Sequence, residues 1–281
     1  MKQVALALCS PPATPFFLSG KHGSLFCQYY ACGDGSPKYR LVVIPPLGEE
    51  LNKCRQLVAQ TAVRLASAGC EVLVFDLFGT GDSQGHFRDC RWSSWSDDIL
   101  DAVAWLDAHS NAPESAILTI RVGSLFLPSL ATIGILDRRK VLMWQPVYDG
   151  EQFLKQLLRL RVLSNRFAGI EESISDLIEM FEAGESVEVA GYELNAELAL
   201  AIRQLKLKAL DANRCGMIEF FEFRSTISDK LTAPGASFLE HLRSGGTSAM
   251  GKTVTAEQFW TTQEISAPIE IAELTVNTIF P

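Results

Sequence analysis

The chain has 281 residues, 47% of them hydrophobic and 21% charged, which suits one large α/β domain with a buried core and excludes a wholly disordered chain. A net charge of -8 sets the chain against phosphate backbones, so nucleic acid is not an expected partner. The seven cysteines are odd in number and include no C-x-x-C pair, a usage that fits a reducing compartment better than a disulfide framework.

Met1 to Ser10 carries Lys2, the apolar stretch Val4 to Leu8, and Cys9. That stretch is shorter than the roughly 7–15 residues of a secretory core, so the expected location is cytoplasmic. No segment reaches the roughly 18 apolar residues of a membrane span. The longest candidates are broken by Arg121 or Pro128.

Tyr39 to Ile44 (YRLVVI) reads as a buried strand stopped by Pro45-Pro46. Leu51 to Ala68 has Leu57, Val58, Ala62 and Leu65 at helical spacing, with Gly69 as its C-terminal stop. Glu71 to Phe75 is a second strand, followed by the loop Asp76 to Gly85. Trp95 to His109 is an amphipathic helix with Ile99, Val103 and Leu106 on one face, and Asp97, Asp98 and Asp101 near its positive N-terminal end. A third strand is expected at Ala116 to Val122, a helix at Ser124 to Leu136 and a fourth strand at Lys140 to Trp144. From residue 149 to 210 the periodicity turns helical with no convincing strand, the pattern of a helical cap. A strand-and-helix rhythm returns at Met217 to Phe223 and Phe238 to Arg243. Ser244 to Gly251 reads as a flexible loop and Ala267 to Asn277 as the last helix. Strands alternating with helices imply an α/β fold with a parallel sheet: residues 1–148 and 211–281 form the core and 149–210 the cap.

Ligand sites of such sheets lie beyond the C-terminal strand ends. Three loops there draw attention. Pro45 to Lys53 (PPLGEELNK) carries Gly48 and the pair Glu49-Glu50, which could equally be an acidic first turn of a helix. Asp76 to Ser83 (D-x-x-G-x-G-x-S) resembles a loop of many α/β hydrolases; its spacing matches no phosphate-cradling motif. Thr119 to Gly123 (TIRVG) ends a strand and opens a helix, the setting of the G-x-S-x-G nucleophile elbow of the α/β-hydrolase fold.

Arg121 stands at the serine position of that motif. A guanidinium does not deprotonate in a protein, so it serves neither as nucleophile nor as base. Ser124 lies past the elbow tip. The histidine turn of the superfamily resembles Thr255 to Trp260 (TAEQFW), where Gln258 takes the histidine position; His22, His86, His109 and His241 all lie elsewhere. Asp229 is the candidate for the acid position, with surface capping as its competing role. Loss of serine or histidine from a triad costs about six orders of magnitude in turnover, so ordinary ester hydrolysis is not expected.

A guanidinium at the top of the sheet needs a partner. Arg121 is therefore expected to pair with Glu49 or Glu50, either as a structural plug or as the bidentate donor of an anion or sugar pocket. Leu47, Gly48, Glu49, Glu50, Arg121 and Val122 are the candidate binding positions. Trp92 and Trp95 either pack or stack on a sugar, and Arg159 and Arg161 either face an anion or are solvated. No cofactor motif or metal-ligand cluster is present, and the expected ligand class is a small molecule or a glycan-derived group.

Several segments together resemble the exosortase A system-associated hydrolase 2 family: Ser10 to Phe17, His22-Gly23, Pro45 to Arg55, Asp76 to Ser83, Arg91 to Asp98, Trp144 to Arg161, Val189 to Leu194 and Phe259 to Ile265. The resemblance spans nearly the whole chain. It implies an α/β-hydrolase fold in a bacterial exopolysaccharide and protein-sorting setting, and an elbow that reads G-L-R-L-G. Here Thr119 replaces the first glycine of that elbow and Ser124 a common alanine. Two functions follow. One is a binding protein without a working triad; the other is a hydrolase or acyltransferase on an ester or acyl-glycan, with a glutamate as base. An arginine partner stabilises a carboxylate in its ionised form and weakens it as a base.

Overall fold

The computed structural model describes residues 13–33, 35–213, 215–262 and 264–281. The signal-like stretch Met1 to Ser10 lies outside them. The strands are β1 (Thr14–Ser19), β2 (Ser24–Tyr30), β3 (Tyr39–Ile44), β4 (Cys70–Phe75), β5 (Glu114–Ile120), β6 (Lys140–Trp144), β7 (Val187–Val189), β8 (Tyr192–Leu194), β9 (Ile218–Arg224) and β10 (Ala249–Thr255). The helices are α1 (Glu49–Ser67), α2 (Trp92–His109), α3 (Leu127–Thr132), α4 (Gly150–Phe167), α5 (Ile174–Glu182), α6 (Ala196–Gln204), α7 (Ala233–Ser244) and α8 (Ile269–Ile279).

Eight strands form one sheet in the order β1-β2-β4-β3-β5-β6-β9-β10. The β1–β2 hairpin joins antiparallel at one edge; every pairing from β4 to β10 is parallel. Period-2 alternation divides the core between the two faces. Leu41 and Val43 of β3 pack with Cys54 and Leu57 of α1 and Ile271 of α8. Val42 and Ile44 pack on the opposite face with Trp95, Ile99 and Leu106 of α2.

The structure departs from the expected elements in four places. β1 and β2 form a hairpin ahead of the first expected strand. Residues expected as one helix, 124–136, divide into a 3-10 segment (Arg121–Phe126) and the short α3, because Pro128 lacks an N–H and fits only a first helical turn. The expected flexible loop 244–251 gives way to β10 at Ala249, which pairs with Ile218 of β9. The segment expected to be purely helical contains the two-stranded hairpin β7–β8, turned at Ala190-Gly191 with both residues at positive φ.

Helices α4, α5 and α6 and this hairpin lie between β6 and β9 in sequence. They are fastened to the loops at the C-terminal strand ends by side chains. Asn195 caps α6 through Leu198 N–H and donates to the carbonyls of Arg88 and Cys90. Tyr192 packs edge-on against Phe87 and accepts from Asn52 Nδ2 at 2.9 Å. Arg91 pairs with Glu197. Trp95 is fully buried and its indole donates to the Phe78 carbonyl, while Trp92 stacks on Phe126 at 3.7 Å.

Candidate functional site

β5 ends at Ile120, and the chain turns at once into the 3-10 segment. Arg121 makes that turn at φ +54°, a left-handed conformation that costs a residue with a Cβ roughly 1–2 kcal/mol. Its carbonyl accepts from Ser124 Oγ at 2.8 Å, and Ser124 Oγ also accepts from Val147 N–H. Ser124 is fully buried by these bonds and belongs to the scaffold of the turn. Gly123 lets the turn close down: a Cβ there would meet the carbonyl oxygens of Ile44 and Pro45 at 3.0 Å. The side chain of Val122 is buried beneath the turn.

The Arg121 guanidinium meets Glu50 on α1. Its Nε lies 3.1 and 3.2 Å from the two carboxylate oxygens, and its Nη2 lies 3.0 Å from Oε1. Nη1 donates to the Gln145 carbonyl at 3.4 Å, and the Trp260 ring lies against the guanidinium, 4.9 Å from its carbon. The pair is nearly enclosed, with 10% of the arginine and 15% of the glutamate side chain exposed. An arginine held in its plane by a carboxylate and on its face by an indole is fixed in orientation, and one N–H each on Nη1 and Nη2 is not used by Glu50 or Gln145.

Gly48 begins α1 at φ +56° and ψ −131°, a conformation reserved for glycine, and it brings the acidic first turn to the edge of the site. Among the described residues Glu49 accepts only from Asn52, at 3.4 Å, and it is exposed. Sequence reasoning left the choice between the two glutamates open; the structure places Glu50 on Arg121.

Between these residues and the overlying segment lies a cavity of about 500 Å³. Leu47, Gly48, Glu49, Glu50, Arg121 and Gln258 border it on the sheet side, and Phe153, Leu157, Leu160 and Tyr192 on the other. Lys53 also borders it, with no ion pair among the described residues. A second cavity, of about 580 Å³, shares Arg121, Gln145, Phe153 and Gln156 with the first and extends to Lys206 and Lys208. Among the described residues, no serine, cysteine or histidine lines the first cavity, and no histidine lines the second. Nor does any cluster of metal-ligating side chains occur among them.

Gln258 is exposed at the cavity edge, in the loop after β10, where its carbonyl accepts from Thr261. Asp229 is exposed in the loop after β9 and borders neither cavity. The buried acid nearby is Glu222, which accepts from Tyr148 Oη and from the Thr232 N–H and hydroxyl. Burial and then Glu222 push the Tyr148 phenol well above its usual range, so it stays a donor. Gln145, Lys53 and Trp260 were not singled out from sequence. Gln145 sits at φ +44°, accepts from Phe223 N–H at 2.6 Å and ties β6 to β9. A glutamine between Trp144 and Pro146 carries no local sign of such a role.

The chain is similar along almost its whole length to a large set of solved structures. The fold is that of the α/β hydrolases. Est1E from Butyrivibrio proteoclasticus, solved with ferulic acid bound, is similar over 94% of this chain and 98% of its own, at 10% identity and a TM-score of 0.70. An esterase of Pyrococcus furiosus is similar over 96% of this chain and 91% of its own, at 13% identity and a TM-score of 0.63. An α/β serine hydrolase homologue from Coxiella burnetii is similar over 95% and 97%, at 13% identity and a TM-score of 0.54. No protein-family model matches the chain, and no curated protein does. At these identities the α/β-hydrolase likeness is one of fold, and function must be argued from the site.

Proposed function

We propose that this protein is a ligand-binding member of the α/β-hydrolase fold in which Arg121 occupies the nucleophile elbow and Gln258 the histidine position, so that no Ser-His-acid triad operates. The observation that carries this reading is the Arg121–Glu50 pair, seated on the strained strand-to-helix turn and bordering the 500 Å³ cavity. A nucleophile elbow presents one side chain at its tip, and a permanently protonated one cannot attack a carbonyl. What it can do is hold an anionic or hydroxyl-rich group against fixed donors. The ligand expected is a small or glycan-derived molecule with an apolar part, since Leu47, Phe153, Leu157 and Leu160 line much of the cavity. The resemblance to the exosortase A system-associated hydrolase 2 family supports an exopolysaccharide or protein-sorting setting.

Glu49 supports a second reading. It borders the same cavity without an ion pair among the described residues, so its carboxylate could act on water in an ester or acyl-glycan hydrolase or acyltransferase.

One screen separates the two. The protein, Arg121→Ala and Glu50→Ala are assayed on aryl esters, acyl thioesters and acylated sugars, with fluorophosphonate labelling in parallel. In the same preparations, sugar acids and fatty acids are titrated by calorimetry. The first reading expects no turnover above buffer, no label, and binding lost in Arg121→Ala. Turnover in wild type that a further Glu49→Ala variant abolishes, with the fold intact, would replace it with the second reading.

A further inference from the structure

Helix α4 is apolar along one side, buried toward its start and open toward its end. Phe153, Leu154 and Leu158 are buried against the core. The exposed continuation starts at Leu157 and Leu160 on the cavity rim, runs through Leu163 and Phe167, and reaches Ile170 just past the helix. Positions 160, 163 and 167 share one side of the helix at i, i+3, i+7 spacing. Leu160 is 50% exposed, Leu163 53%, Phe167 93% and Ile170 53%. Elsewhere among the described residues, exposed large hydrophobics occur singly or in pairs. Scattered apolar residues are ordinary on a surface, whereas a contiguous run marks an interaction site.

The charges beside the stripe are selective. Arg159 and Arg166 lie along one flank, are exposed, and make no ion pair or side-chain hydrogen bond among the described residues. Arg161 points to the opposite flank and is committed to Glu172 and the Glu188 carbonyl. Lys155 is committed to Glu151. At the far end Asp176 is engaged by Ser173, which leaves Glu171 as an exposed carboxylate beside Ile170. A chain of net charge -8 thus presents, among the described residues, two arginines without an ion pair next to the longest run of exposed large hydrophobics.

We propose that this face of α4 docks onto an anionic membrane surface, with Leu160, Leu163, Phe167 and Ile170 entering the headgroup boundary and Arg159 and Arg166 meeting lipid phosphates. A helix with an apolar stripe and basic flank lies in the plane of a bilayer and does not cross it. No helix among the described residues is long and apolar enough to cross. Leu160 belongs both to the stripe and to the cavity rim, so docking turns the cavity mouth toward the lipid. The inference stands on surface residues and does not depend on what Arg121 does.

The test is co-sedimentation of the whole chain with vesicles of phosphatidylcholine and of equimolar phosphatidylcholine and phosphatidylglycerol. Binding is expected to the anionic vesicles, weaker to the neutral ones, and falling with salt. Arg159→Gln with Arg166→Gln should lower the partition coefficient about fivefold per arginine. Leu163→Ser with Phe167→Ser should lower it on the order of a hundredfold. All four positions are exposed, and an unchanged thermal midpoint shows that the fold is kept. The proposal is overturned by a wild-type chain that sediments with neither vesicle or equally with both, or by a double variant that binds the anionic vesicle as tightly as wild type. It is also overturned by a wild-type dimer that these substitutions dissociate, which would assign the face to a second copy.

Discussion

Arg121 and Glu50 close the top of the sheet from two elements 71 residues apart in sequence, with every contact between guanidinium and carboxylate at 3.0–3.2 Å. Each is the main counter-charge of the other in a nearly enclosed place. Removing one partner strands the other, and that penalty exceeds the net worth of the intact pair. Glu50→Ala and Arg121→Ala are each expected to lower stability by about 2–3 kcal/mol, and the double variant by less than their sum, with a coupling of about 1–2 kcal/mol. A urea-unfolding double-mutant cycle measures it. Strict additivity would mean that the pair does not hold the site together.

Gly123 is expected to be intolerant for a reason of shape. A Cβ would press on two backbone oxygens, those of Ile44 and Pro45, which cannot swing aside as a flexible side chain could. Gly123→Ala should cost roughly 1–3 kcal/mol. A Cβ at Gly33 would meet no atom of the described residues within 4 Å, so Gly33→Ala should stay within about 0.5 kcal/mol of wild type. Equal thermal midpoints for the two variants would show that strand and elbow do not pack as described.

The parallel core was legible because its strands are short apolar runs punctuated by Gly and Pro, as at Tyr39–Ile44 before Pro45-Pro46. Arg121 stood out because a guanidinium takes the serine position of a strand-to-helix turn that keeps its last glycine, Gly123. β1 and β2 were hidden because an edge hairpin carries a weaker apolar signal, with Phe17 exposed and Phe16 only partly buried. β10 was hidden by Gly251, whose missing side chain admits the Phe220 ring, so a residue that reads as loop is there a packing requirement. The identity of the arginine's partner rests on helix phase. Glu49 and Glu50 are adjacent, and only the start of α1 at Gly48 decides which one faces inward. Trp260 and Gln145 reach Arg121 through tertiary placement, for which no local pattern exists.

Five of the seven thiols should be inert in the native protein. Burial pushes Cys27 and Cys90 up to about 12 and Cys215 up to about 11; it also raises Cys54 and Cys70 well above the usual thiol range. The thiolate is the reactive form, so these five should not react with Ellman's reagent near neutral pH on the minute scale. In denaturant they should all react. Rapid native labelling of any of the five, located by peptide mapping, would contradict the packing around it.

Asp98 gives the clearest pH signature. It is fully buried on α2; Oδ2 accepts from Phe78 N–H at 2.8 Å, and Oδ1 has no hydrogen-bond partner among the described residues. Burial raises it to about 6, opposed by the Phe78 N–H and His22 and reinforced by Asp101 and Asp97. Its ordinary value is 3.8, so between about pH 4 and 6 the folded chain holds a proton that the unfolded chain has released. Stability from this group is therefore present at the acidic end and is lost as pH rises through that window. Asp98→Asn keeps an acceptor for Phe78 and removes the titration. The stability of wild type minus that of the variant, from urea unfolding at each pH, should fall by roughly 2–3 kcal/mol across the window. A difference that stays flat, or that rises with pH, would show that Asp98 is ionised in its folded surroundings and that Oδ1 has a partner.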